Sequence, residues 1–199
     1  ANEVRLFYAR SLLEQKQYPE SRIQFQYLLN KKPGNADLAF AIALLSIQMG
    51  ELDRAELELK QALSTGKKDS ATVHYYLAQL NEAKKNEAVA LQEYQQVKEG
   101  EYAFPSRLRI AYLLVKADKL NEALEILHQT SARNNQQLAQ LVLTEGQILR
   151  DAKQYGPAFQ VLNKGLGKLP NHPDLLYEAA MAADKQGKPA IFEEMLRKL

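Results

Sequence analysis

Two stretches of the chain, MGELDRAELELKQAL at residues 49–63 and ADKLNEALEILHQT at residues 117–130, share one pattern. Each has a Leu after a polar, turn-like segment, then an Ala three residues later, then a second Leu four residues beyond the Ala. These residues are Leu52, Ala55 and Leu59 in the first stretch, and Leu120, Ala123 and Leu127 in the second. A shared pattern of this length indicates an internal repeat.

The central Ala belongs to a column of small residues that recurs along the chain. This second-helix column is Ser21, Ala55, Ala90, Ala123 and Ala158, at intervals of 34, 35, 33 and 35 residues. A first-helix column moves in step with it: Ala9, Ala43, Ala78, Ala111, Gly146 and Ala180, at intervals of 34, 35, 33, 35 and 34 residues. The two columns together predict six units of about 34 residues.

Each unit is predicted to hold two helices. In the second unit apolar residues recur at helical spacing, as Leu38, Ile42 and Leu45, followed by Leu52, Leu59 and Leu63. The units are punctuated by Gly50, Gly66, Gly100, Gly156 and Gly187, and Pro33 and Pro170 stand where helices must end. No β-branched alternation of strand type is present, so we predict an all-α protein with about twelve antiparallel helices.

The small columns have a packing explanation. Where helices of a hairpin cross, a side chain larger than Ala would hold the axes beyond the usual separation of about 8–10 Å. One hairpin cannot bury its apolar face alone, so neighbouring hairpins stack and share a core. We therefore expect a single repeat domain over residues 1–199. Its repeats are predicted at about 2–35, 36–70, 71–103, 104–138, 139–172 and 173–199.

The period and the A-x3-large-apolar frame resemble the tetratricopeptide repeat. The frame is Ser21-x3-Phe25, Ala55-x3-Leu59, Ala90-x3-Tyr94, Ala123-x3-Leu127 and Ala158-x3-Leu162. Three features depart from the family pattern. The chain has no Trp, Phe192 replaces the expected small residue of the sixth unit, and Glu145 stands where the family has an apolar residue.

The resemblance implies a right-handed superhelical solenoid whose first helices line a concave groove that binds a protein partner. It places these partner-binding residues in the groove: Leu6, Arg10, Phe40, Leu44, Ile47, Tyr75, Gln79, Leu108, Tyr112, Leu143, Gln147 and Arg150. An apolar and aromatic strip of this kind indicates a binding surface for a peptide or helical segment with apolar anchors. The alternative interpretation is that these side chains pack on one another as core.

Composition narrows the choice of partner and compartment. The charge is nearly balanced, with 26 basic and 24 acidic residues, which argues against nucleic acid. The chain has no Cys, and no apolar run reaches the roughly 20 residues of a membrane span. We expect a soluble protein of the cytoplasm or of a bacterial periplasm. The chain begins ANEV, so a targeting segment was removed or the chain was cut from a longer protein.

No catalytic constellation is recognisable in the sequence. His74, His128 and His172 fall in different units, and STGKKDS at residues 64–70 lacks the frame of a phosphate-binding loop. That segment is better interpreted as a helix end capped by Gly66, with Lys67 and Lys68 near the helix C-terminus. We therefore predict no enzyme activity, no cofactor and no metal.

Glu145 is the polar residue that the register places in a buried position. A buried carboxylate needs a partner, so Glu145 is either a hydrogen-bonded structural residue or a groove residue that receives a basic ligand group.

The last predicted helix carries a broad apolar stripe. Ile191, Phe192, Met195, Leu196 and Leu199 share it, and no polar cap follows.

Taken together, the repeats and the lack of a catalytic constellation predict a non-catalytic interaction scaffold. The alternative is a structural or self-assembling segment of a larger protein that forms a homodimer through residues 189–199.

Overall fold

The structure is a computed structural model that describes residues 2–64 and 69–199. Within those residues it contains twelve α-helices and no β-strand, which confirms the predicted all-α class of helix-turn-helix repeats. The chain forms two compact units, Ala1–Ala103 and Phe104–Leu199. The predicted cap at Gly66, Lys67 and Lys68 lies outside the described residues.

Each unit holds three helical hairpins. The helices of unit 1 are α1 (Asn2–Glu14), α2 (Tyr18–Lys31), α3 (Ala36–Gln48), α4 (Leu52–Ser64), α5 (Ser70–Ala83) and α6 (Glu87–Gln95). Those of unit 2 are α7 (Ala103–Lys116), α8 (Leu120–His128), α9 (Asn135–Asp151), α10 (Tyr155–Leu166), α11 (Pro173–Lys185) and α12 (Pro189–Leu196). Odd-numbered helices are the first helices of the predicted repeats, and even-numbered helices are the second helices.

Capping residues define where several first helices begin. The side chain of Asn35 accepts a hydrogen bond from the backbone N–H of Leu38, and that of Asn134 accepts one from Gln137. Asp69 accepts bonds from two backbone N–H groups at the start of α5. These contacts satisfy donors that a helix start otherwise leaves without partners.

The turn inside each hairpin is the same in all six hairpins that the structure describes. One residue in each turn has positive φ: Lys16, Gly50, Lys85, Asp118, Lys153 and Gly187, with φ between 58° and 74°. The next residue donates its N–H to a carbonyl five positions back, at 2.8–3.1 Å, as Glu51 does to Ser46. This is a Schellman cap, which ends the first helix and reverses the chain.

The small columns lie where the helices approach most closely. Every Ala of both columns is 0% exposed, and so is Ser21, whose hydroxyl donates a 2.7 Å hydrogen bond to the carbonyl of Ala9 on the neighbouring helix. A Cβ atom added at Gly146 would lie 2.8 Å from the side chain of Leu162. The small residues are therefore required by the space available.

The last hairpin departs from this pattern, as the sequence predicts. Phe192 is half-buried and packs with Ile191 against the core of unit 2, and Met195 is buried in that core. Leu196 and Leu199 of the predicted apolar stripe are 38% and 57% exposed. The stripe is thus divided between the core and the surface.

The turn geometry generates the first testable prediction. At Gly50 an added Cβ meets no atom within 4 Å, but φ is +74°, so Gly50→Ala is strained by its backbone alone. We expect a loss of about 1 kcal/mol in the free energy of unfolding.

Gly156→Ala is the control, because Gly156 lies in the first turn of α10 with equally open space. It should be neutral or stabilising by up to about 1 kcal/mol. Urea unfolding followed by circular dichroism measures both, and equal effects would contradict the assignment.

Candidate functional site

The predicted partner-binding residues fall on first helices in both units, and each set is described separately. The unit 1 face comprises Leu6, Arg10, Phe40, Leu44, Ile47, Tyr75 and Gln79 on α1, α3 and α5. The unit 2 face comprises Leu108, Tyr112, Leu143, Gln147 and Arg150 on α7 and α9. Arg10 and Gln79 are exposed, Phe40 is buried at 9% exposure, and the other residues are half-buried.

The apolar members of the faces also contact the core. Leu6 packs against a cluster that contains Ala9 and Phe25, and Leu44 and Ile47 pack against one that contains Phe40. In unit 2, Leu143 packs against the core cluster of α9, α10 and α11. The half-buried residues therefore take part in packing and also reach the surface.

An aromatic cluster surrounds Tyr75 of the unit 1 face. The ring of Tyr75 stacks on that of Tyr102 at 4.4 Å between centroids, and Tyr76 meets both rings edge to face at 5.7 and 5.9 Å. Phe40 contacts Tyr76 at 5.3 Å, and Gln79 donates a 2.9 Å hydrogen bond to the hydroxyl of Tyr75. Offset and edge-to-face pairs are the favourable arrangements of aromatic rings, so the cluster supports itself.

Tyr76 and Tyr102 are functional candidates that the sequence analysis did not identify. A hydrogen bond with Tyr76, together with partial burial and the nearby Glu101 carboxylate, raises the pKa of Tyr102 above its usual range. The Tyr102 hydroxyl therefore stays neutral at physiological pH. Tyr102 lies in the turn before α7, outside the helical periodicity, so the register gave no signal for it.

A chain of polar contacts crosses the first helices of unit 2. The hydroxyl of Tyr112 on α7 donates a 2.9 Å hydrogen bond to Gln147 on α9. The amide of Gln147 donates at 3.5 Å to Glu178 on α11, which also forms an ion pair with Arg150. Glu178 is only 8% exposed. The sequence analysis missed Glu178, although a carboxylate within the Ala-rich α11 was the available signal.

In two hairpins a polar pair joins equivalent positions of the first and second helices. One residue of each pair stands four positions before the small residue of its first helix. The other stands three positions after the small residue of its second helix. Arg5 donates a 2.6 Å hydrogen bond to Gln24, and His74 is hydrogen-bonded to Glu93 at 2.7 Å. Each pair links the first helix to the second helix of its own hairpin.

The other histidines lie in unit 2 and have separate surroundings. His128 at the end of α8 is hydrogen-bonded through Nε2 to Glu145 at 2.7 Å, and His172 precedes α11. Glu145 is half-buried, and its hydrogen bond to His128 provides the partner that a structural carboxylate requires. Within residues 2–64 and 69–199, no three His, Cys, Asp or Glu side chains are grouped to hold a metal ion.

Comparisons with known proteins agree with this architecture. Residues 12–80 match a family model described as tetratricopeptide repeat. A TPR repeat-containing protein of Pseudomonas aeruginosa is 35% identical over 124 residues, which are 62% of this chain and 21% of that relative. The chain thus spans about a fifth of the length of the curated relative it matches.

Solved structures show the same fold at lower sequence identity. The C-terminal part of a TPR repeat-containing protein from Cytophaga hutchinsonii is 18% identical, with a TM-score of 0.76 over 97% of this chain and 77% of that one. YrrB, a TPR protein, is 20% identical, with a TM-score of 0.63 over 87% of this chain and 89% of its own.

The match over residues 12–80 and the fold shared with solved TPR structures support the resemblance to the tetratricopeptide repeat that the sequence predicts. This family generally comprises non-catalytic scaffolds for protein–protein interaction. No helix in the part of the chain that the structure describes is long and apolar enough to span a membrane.

The polar chain of unit 2 generates the second prediction. Arg150→Met leaves the Glu178 carboxylate buried without its cationic partner, so we expect a loss of roughly 2–3 kcal/mol in the free energy of unfolding. The double variant Arg150→Met with Glu178→Met removes both charges and should fall within about 1 kcal/mol of wild type. Urea unfolding provides the measurement. Arg197→Met, which breaks an exposed pair with Glu193, is the control and should change stability by less than about 1 kcal/mol. A double variant no more stable than Arg150→Met would contradict this account.

Proposed function

We propose that the chain is a non-catalytic scaffold that binds a peptide or helical segment of a protein partner on the first-helix faces. The observation that carries the proposal is the polar chain from Tyr112 through Gln147 to Glu178 and Arg150. It holds side chains of three consecutive first helices in fixed positions beside half-buried Leu108 and Leu143. A surface arranged before binding loses less side-chain entropy on binding.

The chemistry of the unit 2 face suits an extended segment of a partner. Beyond their mutual hydrogen bond, the Tyr112 hydroxyl can still accept and the Gln147 amide can still donate a hydrogen bond, so both can pair with a peptide backbone. The Arg150 side chain is 29% exposed, so part of it remains accessible beside Glu178. Apolar side chains of the segment would rest on Leu108 and Leu143, which supports recognition by apolar anchors and a few hydrogen bonds.

The unit 1 face supports the same mode of recognition with aromatic rings. Tyr75, Tyr76 and Tyr102 are half-buried and so have surface left for a ligand. Tyrosine combines a large apolar area with a hydrogen-bonding hydroxyl, which makes it a frequent anchor of interfaces. Phe40 lies beneath these rings, so its proposed contribution is to support Tyr76.

One structural relative gives independent support for peptide binding as a class of function. YrrB is described as a TPR protein with an unusual peptide-binding site. The proposal includes no catalytic step and no cofactor, because His74 and His128 are engaged in separate pairs in different hairpins. The predicted single domain of six repeats over residues 1–199 is part of the proposal.

The experiment is a selection of random phage-displayed peptides on the wild-type protein, followed by fluorescence anisotropy with the enriched peptide. We expect Tyr75→Ala with Gln79→Ala, or Tyr112→Ala with Gln147→Ala, to weaken its binding by about tenfold or more. The control variant is Leu57→Ala with Val89→Ala, which truncates exposed apolar residues on second helices. It should bind as wild type does.

Circular dichroism ensures that only folded variants are compared. A control variant that weakens binding as much as both face variants would contradict the proposal. So would the absence of any enriched peptide after selection.

A second candidate is self-association through residues 189–199. The observation that favours it is the exposure of Leu196 and Leu199 at the end of unit 2. Exposed apolar side chains that lie close together often mark a contact surface.

Sedimentation across a range of protein concentrations tests this candidate with Leu196→Asp. Substitutions at Phe192 or Met195 are unsuitable, because both side chains pack in the core of unit 2. We expect the average mass of wild type to rise with concentration, that of Leu196→Asp to remain monomeric, and Leu57→Asp to behave as wild type. A wild-type protein that is monomeric throughout excludes the candidate.

A further inference from the structure

A cleft in unit 2 lies on the side of α9 opposite the proposed unit 2 face. Its volume is about 320 Å³, and its floor consists of half-buried Leu138, Leu141, Val142 and Val161. None of its lining residues belongs to the predicted groove. The cleft therefore offers a second surface, separate from that of the proposed function.

Two positions that hold larger polar pairs in the first and third hairpins hold smaller side chains at this cleft. Val142 and Val161 occupy the positions of the Arg5–Gln24 and His74–Glu93 pairs, and they fill less space. In addition, α8 ends at His128 after nine residues, whereas α2 runs for 14 residues. The absence of a further helical turn leaves the mouth of the cleft open.

Gly165 keeps Val142 in place on the floor. A Cβ atom added at Gly165 would lie 2.6 Å from Cγ1 of Val142, so any other residue would push this side chain aside. The apolar floor thus depends on a close approach of α9 and α10.

The rim of the cleft carries an excess of positive charge. Lys164 lies in the last turn of α10, Lys168 lies in the turn that follows this helix, and both line the cleft and are exposed. Neither forms an ion pair with any residue that the structure describes. The carboxylate in the cleft, Glu145, is hydrogen-bonded to His128 and is mostly buried, with 14% of its side chain exposed. The lysines are therefore the charges that a ligand meets first.

The equivalent cleft in unit 1 has a different chemistry. It has a volume of about 400 Å³ and lies at the same positions of the repeat. Gln61 stands in the place of Lys164, Glu58 in that of Val161, and Gln26 in that of His128. Among the described residues that line the unit 1 cleft there is no lysine, whereas two lysines line the unit 2 cleft.

We propose that the unit 2 cleft binds an acidic segment of a protein partner. A bulky apolar side chain of the segment occupies the floor of Leu141, Val142 and Val161, and adjacent carboxylates pair with Lys164 and Lys168. Charge complementarity determines the choice of occupant. An apolar floor beneath two ammonium groups favours a ligand that carries an apolar side chain next to negative charges.

The test uses three peptides acetylated and amidated at their ends, so that no terminal charge contributes. The probe is GSFDEDGS, and the comparison peptides are GSFNQNGS, without the carboxylates, and GSADEDGS, without the apolar anchor. Methyl resonances of Leu141, Val142 and Val161 report binding by NMR titration. We expect saturable shifts with GSFDEDGS, at a Kd of roughly 0.1–1 mM, and affinity about tenfold lower with either comparison peptide.

Charge reversal at the rim provides the decisive variant. Lys164→Glu with Lys168→Glu changes only exposed side chains, so the fold should persist, and we expect about tenfold weaker binding of GSFDEDGS. The matched control, Lys153→Glu with Lys185→Glu, alters net charge equally at exposed lysines outside the cleft. It should bind within about twofold of wild type.

Three results would overturn the proposal. They are the absence of saturable shifts at the cleft methyl groups, equal binding of GSFNQNGS, and retention of affinity by the charge-reversed variant. Tyr112→Ala with Gln147→Ala should bind GSFDEDGS normally, so failure of the proposed function and failure of this inference are distinguishable.

Discussion

The close approach of paired helices at the small-residue columns is the constraint on which the other features depend. The hydroxyl of Ser21 reaches the backbone of α1, and Leu162 occupies the space beside Gly146. At such separations a side chain larger than Ala would force the helices apart or adopt a strained rotamer. The approach also determines which positions of each helix face the partner helix and which face outward.

The positions that face outward, and those where helices cross, carry different side chains in the two units. The two units therefore have different surfaces on the same repeat backbone. Unit 1 gathers Tyr75, Tyr76 and Tyr102 into one aromatic cluster, whereas unit 2 links Gln147 and Glu178 through polar contacts. The backbone of each hairpin is alike, down to the residue with positive φ in its turn. Differences in side chains, with the backbone preserved, are how a repeat fold acquires distinct binding surfaces.

The columns and the alternation of first and second helices were predictable, because residue size and a period of about 34 are visible along the sequence. The polar contacts were not. Arg150 and Glu178 belong to consecutive repeats, and nothing in the sequence near either residue indicates the other. Tyr102 lies in a turn without periodicity, and the cleft beside Val142 results from how α8 ends and how α10 packs. Such features depend on which residues lie close together in the folded chain, and the spacing of the repeats does not give that information.

The most direct measurement compares the stabilities of Ala55→Leu and Ala88→Leu by urea unfolding. Ala55 is 0% exposed in the second-helix column, whereas Ala88 is exposed in α6, two residues before Ala90 of the same column. If close helix approach organises the fold, Ala55→Leu loses about 3 kcal/mol and Ala88→Leu changes stability by less than about 0.5 kcal/mol. Similar values for the two variants would contradict the account.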